Sequence, residues 1–243
     1  MPRLPALTRA LGVTGREAVA YARQAWLLRH DLGTPSVPPA RAGDDVVVLL
    51  HGIFASAGVL RPLRASLERR ARVHTTAITY APGARIHQAA DRLASLISRL
   101  PADARVHVVG HSLGGVVARW YAETSREPRV VQTVSLASPF GGVRGARFLG
   151  AWGRDIEPES AVLRRVRLGG AGVPHLSVIA ADDAVVRAPR SHALPSGDVV
   201  VLDGCGHNAL LFDAELMALL ERRILSVARA RAQAAEPPQA SPG

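Results

Sequence analysis

The segment best suited to covalent chemistry is Gly110-His111-Ser112-Leu113-Gly114, followed by Gly115. A serine hydroxyl is a weak nucleophile until a neighbouring base takes its proton. The G-x-S-x-G spacing suits a sharp turn from strand to helix, because glycines two positions away on each side remove Cβ clashes around a strained serine. The context fits: Val106-His107-Val108-Val109 reads as a strand and Val116-Val117-Ala118-Arg119-Trp120 as a helix. Such a turn lifts the hydroxyl above a sheet edge and aims the N–H groups of the new helix at developing negative charge. The plain alternative is a Gly-rich turn with no chemistry.

Acyl transfer at Ser112 needs an oxyanion hole, a base and an acid. Leu49-Leu50-His51-Gly52-Ile53-Phe54 closes an apolar run with a loop whose backbone could face the serine. The candidate oxyanion donors are the backbone N–H groups of Ile53 and Leu113. His51 reads as a residue that bonds the loop backbone. Among nine histidines, His207 stands out, since it follows the run Val199–Leu202 through Asp203-Gly204-Cys205-Gly206 and precedes a long amphipathic segment. An acid should follow the preceding strand, where Leu176–Ala181 leads into Asp182-Asp183. Alternation points the two aspartates in different directions, so one of them orients the base; Asp155 and Glu157 are more distant alternatives.

The elements that position these residues alternate strand and helix. Strands are expected at 46–50, 73–80, 106–109, 130–136, 176–180 and 199–202, and helices at 56–70, 85–100, after Ser112 to about 123, and 209–228. That order implies an α/β fold with a mainly parallel sheet of six strands and helices on both faces. Residues 1–43 read as an amphipathic helix (6–30) and a Pro-rich linker, with Leu7, Leu11, Ala18, Ala22, Ala25 and Trp26 near a 3.6-residue period. Residues 44–228 form one domain, 140–172 an irregular cap-like insertion, and 229–243 a disordered tail.

Taken together, four segments resemble the bacterial lipase and esterase branch of the α/β-hydrolase superfamily. They are Val48–Ile53, Gly110–Gly115, Leu136-Ala137-Ser138-Pro139-Phe140-Gly141-Gly142, and the pair Asp183–Val186 with Gly204–His207. Pro158–Leu163 is similar to a further stretch between the fourth and fifth strands of such lipases. The resemblance implies the α/β-hydrolase fold, and it selects Asp183, because the acid of that family stands three residues before a valine, here Val186. It also implies a carboxylic ester as target, cleaved through an acyl-enzyme. Thioesters, amides and acyl transfer use the same triad, and a scaffold that only binds ligand is the rival of a different class. Ser138 and Phe140 replace the Thr and His of the family segment, and Glu159 replaces a Gly. Ile53, Phe54, Leu113 and Phe140 would wall an apolar substrate site, with Phe54 and Phe140 as substrate-binding residues.

No cofactor or metal is called for, as no clustered metal-ligand spacing is present. All thirty basic residues are arginine and the net charge is +10. A small-molecule or lipid ester is the expected partner, and the basic surface leaves two readings open, peripheral contact with an anionic lipid interface or no special partner. No nucleic-acid-binding motif is present. Arg16, Glu17 and Arg23 interrupt the N-terminal apolar stretch, which argues against a signal peptide and makes the cytoplasm the expected location. The single cysteine, Cys205, reads as a small residue of the base loop.

Overall fold

The computed structural model describes residues 4–71, 73–170 and 172–235, with the backbone alone for 4–11, 189 and 228–235. Six strands, β1 (Asp45–Leu50), β2 (His74–Ile78), β3 (Arg105–His111), β4 (Val130–Leu136), β5 (His175–Ala180) and β6 (Asp198–Leu202), form one sheet. The order is β2-β1-β3-β4-β5-β6 and every pairing is parallel. The central strands carry near-continuous Val and Leu runs because both of their faces are covered. Successive side chains therefore feed two separate cores. Val46, Val48 and Leu50 pack on one face, and Val47 and Leu49 on the other.

The helices are α1 (Leu4–Leu27), α2 (Arg61–Arg70), α3 (Ile86–Ile97), α4 (Leu113–Ser125), α5 (Ala151–Asp155), α6 (Ala161–Leu168) and α7 (Ala214–Ala235). The α3, α4 and α6 helices cover the first face through Leu93, Val117 and Leu163. The α1, α2 and α7 helices cover the second through Leu27, Leu63 and Leu220. A parallel sheet places the carboxyl ends of all its strands at one edge, and ligands bind along that edge in open α/β sheets.

Three expectations from the sequence need correction. The segment 140–172 is not irregular: it carries a 3-10 turn (Ala146–Leu149), α5 and α6. Helix α6 is short and Arg-rich, yet Val162, Leu163 and Val166 bury one side of it. The last helix continues to Ala235, seven residues into the segment expected to be disordered, while 236–243 lie outside the described residues. Helix α1 exists, but its inward face is not the one expected. Ala18, Ala22, Ala25 and Trp26 are exposed, whereas Ala20 and Leu27 are buried and Glu17 and Gln24 partly so. The side chains of Leu7 and Leu11 lie outside the described residues.

Candidate active site

Ser112 sits between β3 and α4 with φ 53° and ψ −120°, a conformation that is costly for a residue with a side chain. The glycines around it explain how it is tolerated. A Cβ on Gly110 would run into the backbone of Gly114 and Gly115, and one on Gly114 would stand 2.5 Å from the Leu50 carbonyl oxygen. A Cβ on Gly115 would strike Ser138 Oγ, so the Leu136–Gly142 segment packs directly behind the turn. The Ser112 N–H donates to the Leu136 carbonyl (2.8 Å), tying the elbow to β4.

The loop after β1 lies against this turn, and a Cβ on Gly52 would stand 3.0 Å from that of Ser112. His51 organises the loop. The Tyr80 N–H donates to its Nε2 (3.2 Å), so the ring proton is on Nδ1, which donates to the Gly52 carbonyl (2.6 Å). The Tyr80 hydroxyl donates to the His51 carbonyl, and the two rings stack at 4.0 Å. Burial holds His51 down to about pKa 4, against the small upward pull of the Gly52 carbonyl. It therefore stays neutral and serves the loop backbone.

Beyond β5 the two aspartates diverge. Asp183 Oδ2 stands 2.7 Å from His207 Nδ1, while its Oδ1 accepts the N–H groups of Val185 (2.8 Å) and Val186 (2.7 Å). Asp182 instead accepts the Gly204 N–H through Oδ2 (2.9 Å), and its own N–H donates to the Cys205 carbonyl (3.2 Å). One aspartate thus meets the imidazole and the other joins the two loops. His111 donates from Nε2 to the His207 carbonyl (3.0 Å). Its ring lies 4.8 Å from that of His207. Burial, then the neighbouring His207, pushes His111 down to about 3, so it is a neutral donor.

Ser112 and His207 line one cleft of about 310 Å³ together with Gly52, Ile53, Phe54, His111 and Val185. They share it without a direct hydrogen bond in this state; such bonds commonly tighten only when substrate is bound. Phe54 has φ 55° and is 68% exposed at the mouth, edge-on to Trp152 at 6.1 Å. Leu113 is buried behind the elbow. Phe140 is not a wall of this cleft. It is 1% exposed and packs edge-on against His175 at 5.5 Å in the core, because the turn after β4 folds it under the sheet edge and not over it.

Sequence reasoning missed one wall. Tyr21, Gln24, Ala25 and Leu28 of α1 and its end face Ser112 across the cleft. The α1 helix also holds Asn208, the residue after His207, through Glu17 and Gln24. The available signal was slight: Glu17 is the sole acidic residue of α1.

The arrangement is that of an α/β-hydrolase: a parallel sheet, a strained serine elbow and a carboxylate-held histidine at the same edge. The family model for palmitoyl protein thioesterase matches residues 46–173, more than half of the 243 residues, and the chain belongs to that family. No curated protein matches the chain. It is similar to a hyperthermophilic esterase of the archaeon Pyrobaculum calidifontis, with TM-score 0.59 and 15% identity over 95% of this chain and 99% of that one. It is also similar to the lipase BlEst2 of Bacillus licheniformis in mature form, with TM-score 0.60 and 12% identity over 77% and 94%. A third likeness is to a protein described as the non-heme bromoperoxidase BpoC of Mycobacterium tuberculosis H37Rv, with TM-score 0.60 and 18% identity over 82% and 98%. At these identities the likeness is one of fold. Among the described residues no helix is long and apolar enough to cross a membrane.

Proposed function

We propose that the chain is a serine hydrolase that cleaves carboxylic esters of apolar acyl groups. The observation that carries this reading is the Asp183–His207 pair beside the Ser112 elbow in one cleft. Ser112 Oγ adds to the acyl carbonyl carbon as its proton passes to His207 Nε2. The oxyanion takes hydrogen bonds from the N–H groups of Ile53 and Leu113, each donor contributing about 3 kcal/mol. Collapse breaks the bond to the alcohol oxygen, which receives the proton from His207. Water then adds to the acyl-enzyme with His207 again as base, and the acid leaves with Ser112 restored. Asp183 keeps the imidazole in the tautomer with Nε2 free and stabilises the imidazolium.

Tyr21, Ala25, Leu28, Ile53, Phe54 and Val185 give the cleft its apolar lining, which supports an acyl chain over a polar substrate. A thioester is the second reading, favoured by family membership. It presents the same acyl carbonyl and differs in its leaving thiol. Exposed aromatics paired with arginine support a substrate met at a lipid surface, since Arg29 lies 4.3 Å over the Trp26 ring and Arg147 5.0 Å over Phe148. Such pairs suit an anionic interface.

The test is labelling by a fluorophosphonate probe, followed by turnover of p-nitrophenyl esters of increasing chain length beside the matching acyl thioesters. Ser112 should be labelled, and Ser112→Ala should lose labelling and turnover while keeping the wild-type unfolding midpoint. Absence of wild-type labelling and turnover would overturn the reading.

A further inference from the structure

The loop that carries His207 is fixed from three sides. Asp183 holds the ring, His111 holds the carbonyl, and Glu17 of α1 holds the two amides that follow. Glu17 Oε1 accepts the Asn208 N–H (2.9 Å) and the Asn208 side-chain amide (2.8 Å), and Oε2 accepts the Ala209 N–H (2.9 Å). Gln24, two turns further along α1, donates to the Asn208 side-chain oxygen (2.9 Å). His207 and Asn208 are both nearly buried, at 5% and 6% exposure, so these amides have little access to water. Gly206 makes the approach possible, because a Cβ there would lie 2.5 Å from Glu17 Oε2. The contacts span 191 positions of sequence and come from a helix outside the 46–173 family match.

We propose that Glu17 is a positioning residue for His207. Its carboxylate has two oxygens for three donors and locks the backbone immediately after the imidazole, which fixes where Nε2 stands relative to Ser112. The proposal rests on the reading of Ser112, His207 and Asp183 as a triad. It makes α1 part of the catalytic apparatus, since the same helix supplies the cleft wall at Tyr21 and Ala25. Apolar docking of the helix does not require this carboxylate, because Ala20 and Leu27 already bury that face.

The experiment compares the full chain with Glu17→Ala, Glu17→Gln and Arg23→Ala. Kinetics on p-nitrophenyl butyrate are read beside the downfield proton NMR line of the His207 Nδ1–H shared with Asp183. A misplaced catalytic group can cost about 100-fold in rate. Glu17→Ala should lower kcat by about 10- to 100-fold, leave KM within about two-fold of wild type, and broaden or remove the proton line. Glu17→Gln keeps the shape and one acceptor oxygen and should recover part of both. Arg23→Ala removes the contact of the helix with the Phe212 ring, 5.6 Å away, without freeing the 208 and 209 amides, and should leave kcat and the line near wild type. Wild-type kcat or an intact line in Glu17→Ala would overturn the proposal, as would equal losses in Arg23→Ala. The NMR line separates the two readings: no wild-type turnover or labelling sinks the hydrolase, whereas an unmoved line in Glu17→Ala sinks the positioning role.

Discussion

Asp183 uses both carboxylate oxygens at once, Oδ2 on His207 Nδ1 at 2.7 Å and Oδ1 on the N–H groups of Val185 and Val186. The two amides fix the carboxylate plane, and the carboxylate in turn fixes the ring. Its neighbour Asp182 spends its side chain on the Gly204 N–H. The two residues should therefore respond differently to the same change.

Asp183→Asn should lower kcat on a p-nitrophenyl ester by about 10⁴-fold with little change in melting temperature, because the amide would favour the wrong imidazole tautomer. Asp182→Asn retains an acceptor for Gly204 and should lose less than about ten-fold, since its hydrogen bond joins loops and not reacting atoms. A steady-state comparison of the two variants decides it; a larger loss in Asp182→Asn would reassign the acid.

The glycines of the elbow make a stability prediction. Gly110→Ala would place a Cβ against the backbone of Gly114 and Gly115, where no side chain can rotate away. It should cost about 1–3 kcal/mol or more in urea unfolding, together with activity. Gly15 lies exposed in α1, and a Cβ added there would meet nothing within 4 Å. Gly15→Ala should instead stabilise by about 0.5–1 kcal/mol. Equal effects at the two sites would contradict the packing of the elbow.

Much of this was legible in the sequence because the central strands are buried on both faces. Runs such as Val46–Leu50 and Val130–Leu136 are strand signals that need no partner to recognise, and the elbow glycines are demanded by the turn itself. Helix α1 was misread for a physical reason. Periodicity finds an apolar face, but the inward face of α1 includes Glu17 and Gln24, which satisfy Asn208 and the 209 amide. Its apolar residues Trp26, Ala22 and Ala25 line clefts instead. Phe140 was misplaced because a segment motif fixes neighbourhood but not side-chain direction, and Ala137 just before it turns the chain with φ 51°. The α6 helix was hidden because Arg164, Arg165 and Arg167 stand among its three buried apolar positions.

Three buried histidines predict an acid-side loss of stability. Burial pushes His51 down to about 4, and His111 and His175 to about 3, from an ordinary 6.5. The unfolded chain takes up these protons below pH 6.5, whereas the native one does not until pH 3–4. Stability is therefore fully present above pH 6.5 and falls as pH drops toward 3, by at most about 1.4 kcal/mol per pH unit for each ring. Urea midpoints from pH 7.5 to 4.5 should decline. His175→Gln, which keeps polar contact with Thr133 and Ser135, should flatten the slope. A wild-type midpoint independent of pH in this range would contradict neutral burial of the rings.

Phe54 is the side chain through which the cleft should read acyl length. It stands at the mouth with its ring edge-on to Trp152, beside Ile53, whose N–H is the proposed oxyanion donor. Covering an aromatic ring with an acyl chain is worth about 1.5–3 kcal/mol, and 1.4 kcal/mol is about ten-fold in a rate or binding constant. Phe54→Ala should accordingly lower kcat/KM for a p-nitrophenyl octanoate by about ten-fold or more. The acetate ester is too short to reach the ring and should keep its kcat/KM within about two-fold. The loss should fall mainly in KM, because the ring contacts the chain equally in the ground and transition states. Equal losses on both esters would mean that Phe54, through its own positive φ, shapes the loop that carries the Ile53 N–H, and not the acyl site.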